Sequence, residues 1–407
     1  MLLRRMKSKS IGPAGLLTIA SLDQLAITMS QQGLSILSVA FKEYARLGVT
    51  QMGILFSTVA LGAVIGMIPA GIALDRFGSR RVAWMAGSAI LVVMGLLAML
   101  LPRNFWALEA LLSLVGFFLP ALSLTGTTAI THVFDGSSRE GVAIGIRQAA
   151  TPLGGILAAS LFPFLVKTWS LATVLWVIAV NAGGWTLAFA WALAPTNHSP
   201  RAAMPATQGL KSLVEVLRPL KYPLLISLLL SPGQYALLTY ALLDLHDRWH
   251  VHMGIAGPII ALALLGGFLA RIYMGKMMDK GAHSIPWLIA LTSSVGVLSL
   301  VLWAIIPHGI PLVVIILIFF ALGAGLDGWN ALLTAWVAQK SSASQRGIAL
   351  GLTGMAGFIG IVLFLPIFGL IIRWSDSYRP AWGLLALIYL VGIGLLAYAK
   401  RVSHKTI

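Results

Sequence analysis

Long apolar segments, separated by short polar connections, cover almost the whole chain. Each is about 20 residues long, enough to cross a bilayer as an α-helix. Strands of outer-membrane barrels alternate apolar and polar residues over about ten positions, and these continuous runs do not. The twelve predicted spans are residues 12–38, 50–74, 82–101, 106–130, 141–165, 170–194, 222–245, 254–277, 285–306, 311–336, 346–372 and 379–399.

The chain is a tandem of two similar halves. Gly71 and Asp75 recur as Gly275 and Asp279, both 204 positions later. A second set of small residues, Gly141, Ala143, Gly145 and Gly154, recurs at an offset of 206 as Gly347, Ala349, Gly351 and Gly360. Such a repeat predicts two similar helical bundles. We therefore predict an all-α membrane protein with six spans in each half.

The predicted domain boundaries follow the one long connection. Residues 1–194 form the N-terminal bundle and 222–407 the C-terminal bundle, joined by a cytoplasmic linker at 195–221. Apolar residues recur at helical spacing between Gly209 and Leu220, so we predict a short amphipathic helix there, lying on the inner membrane face.

Composition excludes a soluble protein, because 58% of residues are hydrophobic, only 10% are charged and the mean hydropathy is +0.92. The net charge of +16 is explained by topology rather than by nucleic acid. With both termini inside, 19 Lys and Arg face the cytoplasm and 7 face outward. We predict a multi-pass protein of the inner membrane with both termini cytoplasmic.

Cofactors and metals are not expected. The chain has no cysteine, and it contains no glycine-rich phosphate loop followed by Lys-Ser or Lys-Thr. The loop with His246, His250 and His252 could hold a metal, but no Cys or Glu within it supports that. The expected partners are the lipid bilayer, a small molecule and protons, and the chain is expected to be a monomer.

The polar stretch between the second and third spans carries a recognisable motif, G-x-x-x-D-R-x-G-x-R-R. Together with the two six-helix halves and the central loop, it resembles the major facilitator superfamily over the full chain. The resemblance implies alternating access, in which two bundles rock about a central site. It also implies a gating motif that comprises Gly71, Asp75, Arg76, Gly78, Arg80, Arg81, Asp279, Arg139 and Arg346.

Asp75 has two interpretations. At the end of the second span, it could bind the N-terminus of the helix near Arg346 and hold the cytoplasmic side closed in the outward-open state. It could also belong to a solvated charge cluster that only fixes topology.

Ionisable residues within the spans are the candidate binding groups, because burying a charge there costs about 2.5–3.5 kcal/mol. Arg271 is the principal candidate, and its position is similar to that of an anion-binding arginine in monocarboxylate, oxalate and nitrate porters. The equivalent position in the first half is Met67, which argues against nitrate. Arg271 either contacts an anionic substrate or forms an internal ion pair with Asp327 or Asp23.

The other candidates lie on spans that line the cavity in this family. Arg147 faces either the cavity or the cytoplasmic interface. Asp23 and Asp327 are candidates for proton coupling, or are structural carboxyl groups. The further candidate substrate-binding residues are Gln148, Gln234, Tyr235, Trp329 and Asn330.

These residues predict a secondary active transporter, not an enzyme, that moves a small organic anion such as a monocarboxylate with protons. A deep arginine disfavours neutral sugars. A drug exporter of the same fold is the alternative, although Ala150–Gly155 lacks the Gly-Pro-x-x-Gly-Gly signature of those exporters. A transporter-like receptor or a partner of an enzyme would need a further domain, which the sequence does not show.

Overall fold

The computed structural model describes residues 12–134, 140–193, 206–281, 283–307, 309–341 and 346–404. For 140–142, 206–216, 279, 346–347 and 400–404, only the backbone is described. These ranges contain thirteen helices and no strand. The helices are α1 Pro13–Ile36, α2 Ser38–Ala45, α3 Val49–Leu100, α4 Phe105–Val133, α5 Glu140–Thr168, α6 Leu171–Ala192, α7 Ala206–Asp247, α8 Met253–Asp279, α9 Ile285–Ile305, α10 Leu312–Asp327, α11 Asn330–Lys340, α12 Arg346–Ser375 and α13 Arg379–His404.

The thirteen helices form twelve membrane crossings, as predicted. α1 and α2 together make the first, the 52-residue α3 makes the second and third, and α10 and α11 together make the tenth. In the described ranges, ten segments are long and apolar enough to cross a membrane on their own, with α3 counted once. α1 is not among them, since it carries Asp23, Gln24, Gln31 and Gln32.

A sharp turn at Gly78 divides α3 into its two crossings. Its backbone angles are φ 75° and ψ 161°, a combination open essentially only to glycine. The turn places Asp75 and Arg81 at one end of the molecule, which we call the motif end. The other end, which we call the opposite end, contains Arg46 and Arg248.

The central connection differs from the prediction. α7 begins at Ala206 and continues without a break to Asp247, so the stretch 209–220 is the first part of the seventh helix rather than a separate one. Side chains of 206–216 lie outside the described residues, and the position of this stretch at a membrane surface remains a prediction.

Two crossings contain breaks that the hydropathy pattern does not predict. The first is interrupted at Leu37, and the tenth is interrupted at Gly328 and Trp329. A break leaves the last carbonyl groups of the preceding helix without their usual partners, so side chains must satisfy them. At the tenth crossing this requirement positions the candidate site.

Both halves pack tightly and also meet each other. In the first half, α3 packs against α4 and α6, and α1 against α5; in the second, α8 packs against α10 and α9 against α13. α3 contacts α12, and α5 contacts α8, across the two halves. The crossing at Gly53 is so close that a Cβ atom there would lie 2.5 Å from the carbonyl oxygen of Leu365. Small residues thus allow the helices of opposite halves to touch.

Candidate functional site

An ion pair occupies the second half where α8 meets the end of α10. Arg271 donates from Nη2 to Oδ1 of Asp327 at 2.5 Å and from Nε to its backbone carbonyl at 3.1 Å. Gln234 of α7 donates to the same carboxylate oxygen. The side chains are 19% and 10% exposed for Arg271 and Asp327. The structure therefore contains one of the two arrangements expected for Arg271, an internal pair with Asp327.

The break after Asp327 explains this geometry. The carbonyl of Leu326 accepts from Nε1 of Trp329 at 2.7 Å and from the hydroxyl of Tyr389 at 3.3 Å. The next carbonyl, of Asp327, is left for Arg271, and the negative end of the α10 dipole favours its guanidinium. Gly267 faces the pair, because a Cβ there would lie 2.8 Å from Oδ2 of Asp327.

Trp329, which the sequence predicts to bind substrate, is buried in this conformation. It is 1% exposed, and its indole nitrogen donates to the carbonyl of Leu326 near the end of α10. Asn330, next to it, is half-buried at the start of α11. A tryptophan directly after a helix break satisfies the break instead of lining a cavity.

A second set of charged groups lies in the first half and is sealed. Arg147 donates to Thr127 Oγ1 at 2.8 Å and to the carbonyl of Ser123 at 2.9 Å. Asp23 accepts from Thr186 at 2.7 Å. Arg147 and Asp23 are 2% and 0% exposed, and they interact electrostatically without a direct ion pair in the described part of the chain.

Arg147 thus faces neither the cavity nor the cytoplasmic interface in this conformation. It points into α4, where a Cβ at Gly126 would lie 2.5 Å from its Nη2. The prediction that it binds substrate does not fit this burial, because a solute could not reach the guanidinium. The neighbouring Gln148 is exposed.

The halves are joined at the centre and towards the opposite end. Gln31 of α1 donates to the hydroxyl of Tyr235 of α7 at 2.9 Å. Further cross-half contacts lie nearer that end: Ser38–Thr239, Lys42–Asp247, Glu43–His246, Thr50–Gly369 and Lys167–His252. Polar contacts between the halves therefore hold this end of the molecule closed.

The motif end contrasts with this closure. Asp75, Arg76 and Arg81 are exposed, and Asp75 has no partner in the described part of the chain. Gly145 and Gly351, on corresponding helices of the two halves, have nothing within 4 Å of a Cβ position. The side chains of Asp279 and Arg346, and the whole of Arg139, lie outside the described residues, so the gating motif remains a prediction.

Several groups at these sites were not singled out from the sequence. Ser123, Thr127 and Thr186 look like ordinary helix residues, and only their contacts with charged groups distinguish them. His246 contacts Glu43 and Asp247. In the described ranges, no group of three His, Cys, Asp or Glu residues is placed to hold a metal.

The profile of the Major Facilitator Superfamily matches residues 24–365. The chain belongs to the major facilitator superfamily. A solved crystal structure of the nucleoside transporter NupG has the same fold, with a TM-score of 0.73 at 16% identity, covering 94% of this chain and 98% of that one. This superfamily protein is accordingly a multi-pass membrane transporter of small molecules.

Curated superfamily relatives have diverse names. An uncharacterized MFS-type transporter, MT3072, of Mycobacterium tuberculosis (strain CDC 1551 / Oshkosh) is 26% identical over 84% of this chain and 76% of its own. The hexuronate transporter of Bacillus subtilis (strain 168) is 29% identical over 37% of this chain and 35% of its own. The enterobactin exporter EntS of Shigella flexneri is 27% identical over 67% of this chain and 65% of its own.

Proposed function

We propose that this superfamily member transports a small organic anion together with protons, and that Arg271 and Asp327 form the shared binding element. The observation that carries the proposal is their direct contact in a partly exposed position between α8 and α10. Nη1 of Arg271 has no partner among the described residues, so the guanidinium keeps donors for a second carboxylate.

The pair couples the two solutes by competition. While Asp327 is ionised, it occupies Arg271 and opposes the entry of another anion. A proton on Asp327 removes its charge, and Arg271 can then bind the carboxylate of the substrate. By linkage, the bound anion favours the proton to the same extent, so both load together.

One of the predicted substrate contacts touches this pair directly. Gln234 donates to Asp327 and is half-buried, and its neighbour Tyr235 contacts Gln31 of the other half. We propose that Gln234, Tyr235 and Asn330 contact the substrate beside Arg271. The name of the hexuronate transporter is compatible with an acidic substrate, but that likeness covers a minor part of the chain.

A proton-driven exporter of larger compounds is the second candidate, favoured by the likeness to EntS over two thirds of the chain. The two functions differ in their dependence on Arg271. An anion porter needs its charge and its forked geometry, whereas an exporter of uncharged compounds does not.

Substitutions at Arg271 test the proposal. Purified protein would be titrated with labelled mono- and dicarboxylates, and uptake into proteoliposomes would be measured with and without a pH gradient. Arg271→Lys keeps the charge but loses the paired donors, so we expect weaker affinity. Arg271→Gln should lower affinity about ten- to a hundredfold, as expected for one lost charge-assisted hydrogen bond.

The double variant Arg271→Gln, Asp327→Asn is the control. If Arg271 only neutralises Asp327, this variant should recover wild-type affinity, and the proposal would then be wrong. Wild-type affinity in Arg271→Gln alone would contradict it equally.

We also propose that Asp75 holds the motif end closed when the opposite end opens. Its exposure here agrees with a state in which the opposite end is the closed one. Asp75→Asn should reduce transport while the protein stays folded and inserted. Unchanged turnover, together with unchanged accessibility of cysteines placed in the cavity, would contradict this role.

A further inference from the structure

The contacts at the opposite end show an internal two-fold symmetry. The offset of 204 that relates Gly71 to Gly275 also relates Arg46, just after α2, to His250, just after α7. Both residues have a positive φ, of 53° and 51° respectively. The offset further relates the N-cap residues Gly48 and His252 of α3 and α8. The halves are therefore in register through this region.

Residues that are related by the offset meet each other. Gln31 and Tyr235 are 204 positions apart and share a hydrogen bond. Two equivalent residues can touch only near the axis that relates them, as at a two-fold interface. This contact thus lies close to the pseudo-symmetry axis, at the centre of the molecule.

Nearer the end, two ion pairs are reciprocal about the same axis. Lys42 is equivalent to His246, and Glu43 is equivalent to Asp247. Lys42 binds Asp247, while His246 approaches Glu43 with 3.5 Å between Nε2 and Oε1. Each basic residue therefore binds the equivalent of its own acidic neighbour, as an isologous contact requires.

The two arms differ in one respect. One arm has a lysine and the other a histidine, the side chain whose ordinary charge change falls between about pH 5 and 8. We propose that these four residues form a lock that closes the opposite end, and that its His246–Glu43 arm is engaged by a proton. Acid on that side then favours the closed form.

The surroundings of His246 determine the sign of this effect. On its own helix, Nδ1 of His246 lies 3.0 Å from Asp247, and on α2 it faces Glu43 beside Lys42. Lys42 is already bound to Asp247. Of the two carboxylates beside His246, only Glu43 belongs to the other half. A proton on His246 therefore strengthens the contact with Glu43, and with it the closure.

The remaining charged neighbours do not reverse this sign. Tyr378 donates to Asp247 at 2.7 Å, and burial together with the charge of Asp247 raises the pKa of Tyr378, so it stays a donor. Arg248 pairs with Asp244 at 3.4 Å, and Arg379 acts on Arg248.

The C-terminal side of the lock is anchored firmly. Asp244 lies two residues before His246 and three before Asp247, and it is fully buried. It accepts from the indole nitrogens of Trp303 in α9 and Trp382 in α13, both at 2.8 Å. The end of α7 is thereby fixed to its own half, so separating the halves must break the contacts with α2 rather than bend α7.

A second imidazole offers a matched control. His252 of the second half lies 3.3 Å from the ammonium of Lys167 in the first half. A proton on His252 would place two positive charges together and weaken this contact. Removing each histidine in turn should therefore change the pH response in opposite directions.

The lock can be tested by labelling a cysteine beneath it. Ser38 is fully buried, donates to the carbonyl of Thr239 across the halves, and differs from cysteine by one atom. Because the chain has no cysteine, Ser38→Cys would be the sole target of a membrane-impermeant maleimide. The labelling rate of Ser38→Cys in proteoliposomes would be divided by the labelling rate of a second variant, Thr168→Cys, whose position is exposed. This division corrects for the effect of pH on the reagent.

On going from about pH 8 to about pH 6, we expect the normalised labelling rate to fall about two- to fivefold, the size expected of one partly exposed ion pair. His246→Gln should remove this fall, and His246→Lys should label slowly at both pH values. His252→Gln should enlarge the fall.

A pH-independent rate in the parent protein, or an unchanged fall in His246→Gln, would overturn the proposal. Faster labelling of His246→Lys would do the same. No transported solute is needed for this measurement, so its outcome is separate from that of the proposed substrate. Monodisperse elution of each variant would show that a changed rate does not arise from unfolding.

Discussion

Each half of the protein holds an arginine and an aspartate inside the membrane, but the two sets differ in access. In the second half, Arg271 and Asp327 touch directly and remain partly exposed. In the first half, Arg147 and Asp23 are buried at 2% and 0% exposure, and each is bound mainly by neutral groups. The same pair of residue types therefore serves two different environments.

The difference shows that charge in a membrane span does not by itself identify a binding site. Arg147 is held by Thr127 and Ser123 of α4 and could not release them without leaving an unpaired cation in the interior. In the proposed mechanism, Arg271 instead exchanges the carboxylate of Asp327 for that of the substrate. We infer that the buried set stabilises the first half, and we propose that the partly exposed pair takes part in transport.

The largest difference in thermal stability between the two sets is expected when Arg147 is substituted. Arg147→Gln removes the buried charge that acts on Asp23 and the hydrogen bonds to Thr127 and Ser123. Each buried polar group left unsatisfied costs about 1–3 kcal/mol. We expect poor yield and a large fall in melting temperature for this variant, whereas Arg271→Gln should melt close to the wild type. Equal melting temperatures for the two variants would contradict the division.

The double variant Arg147→Gln, Asp23→Asn serves as the control for this prediction. It removes both charges and should recover part of the lost thermal stability. No recovery would indicate that the loss arises from packing against α4 rather than from the unpaired charge.

A smaller effect on stability is expected from substitutions of the glycines that contact the two sets of charged residues. Gly126 faces Arg147, and Gly267 faces Asp327. An added methyl group in such a contact costs about 1–3 kcal/mol. Gly126→Ala should therefore lower the melting temperature.

Gly267→Ala should act differently, because its methyl group would meet the Cβ of Asp327 at 2.8 Å and the carbonyl oxygen of Gly323 at 3.0 Å, and rotation of the Asp327 side chain relieves neither contact. We expect a changed anion affinity together with a fall in melting temperature. Measuring both quantities for both variants checks the contrast, and an anion affinity that changes in Gly126→Ala but not in Gly267→Ala would reverse our assignment.

Much of the architecture could be predicted from the sequence. Twelve apolar runs gave the number of crossings, and the motif placed the turn that Gly78 makes. These features are local or periodic, and hydropathy records them directly. The breaks at Leu37 and Trp329 were not predictable in this way. The few polar residues beside them, Ser38 at the first and Asp327 and Asn330 at the second, do not end a long apolar segment.

The choice of partners could not be predicted. Two aspartates and two arginines deep within the spans allow more than one pairing, and helix rotation decides which of them meet. The sequence therefore left Arg271 between Asp327, Asp23 and a substrate, and left Arg147 between two surfaces, neither of which it faces. The lock at the opposite end was within reach, since the offset of 204 also relates its residues, but they looked like ordinary loop charges.

The smallest expected effect is at Asp23, and it is the most specific test of the comparison. Asp23 and Asp327 were both candidates for proton coupling. If solvent access determines which aspartate couples proton binding to transport, only Asp327 exchanges protons with the substrate pathway. Asp327→Asn should then remove the pH dependence of anion binding, which for one coupled proton is at most about tenfold per pH unit.

Asp23→Asn, in contrast, should leave that pH dependence within about twofold, since the amide oxygen can still accept from Thr186. The measurement is anion affinity between about pH 6 and pH 8 for both variants, together with accumulation of the anion in proteoliposomes under a pH gradient. Loss of pH dependence in Asp23→Asn with its retention in Asp327→Asn would assign the proton to the buried set. It would also mean that the first half opens during the cycle far enough to admit water to Asp23, which its burial in this state opposes.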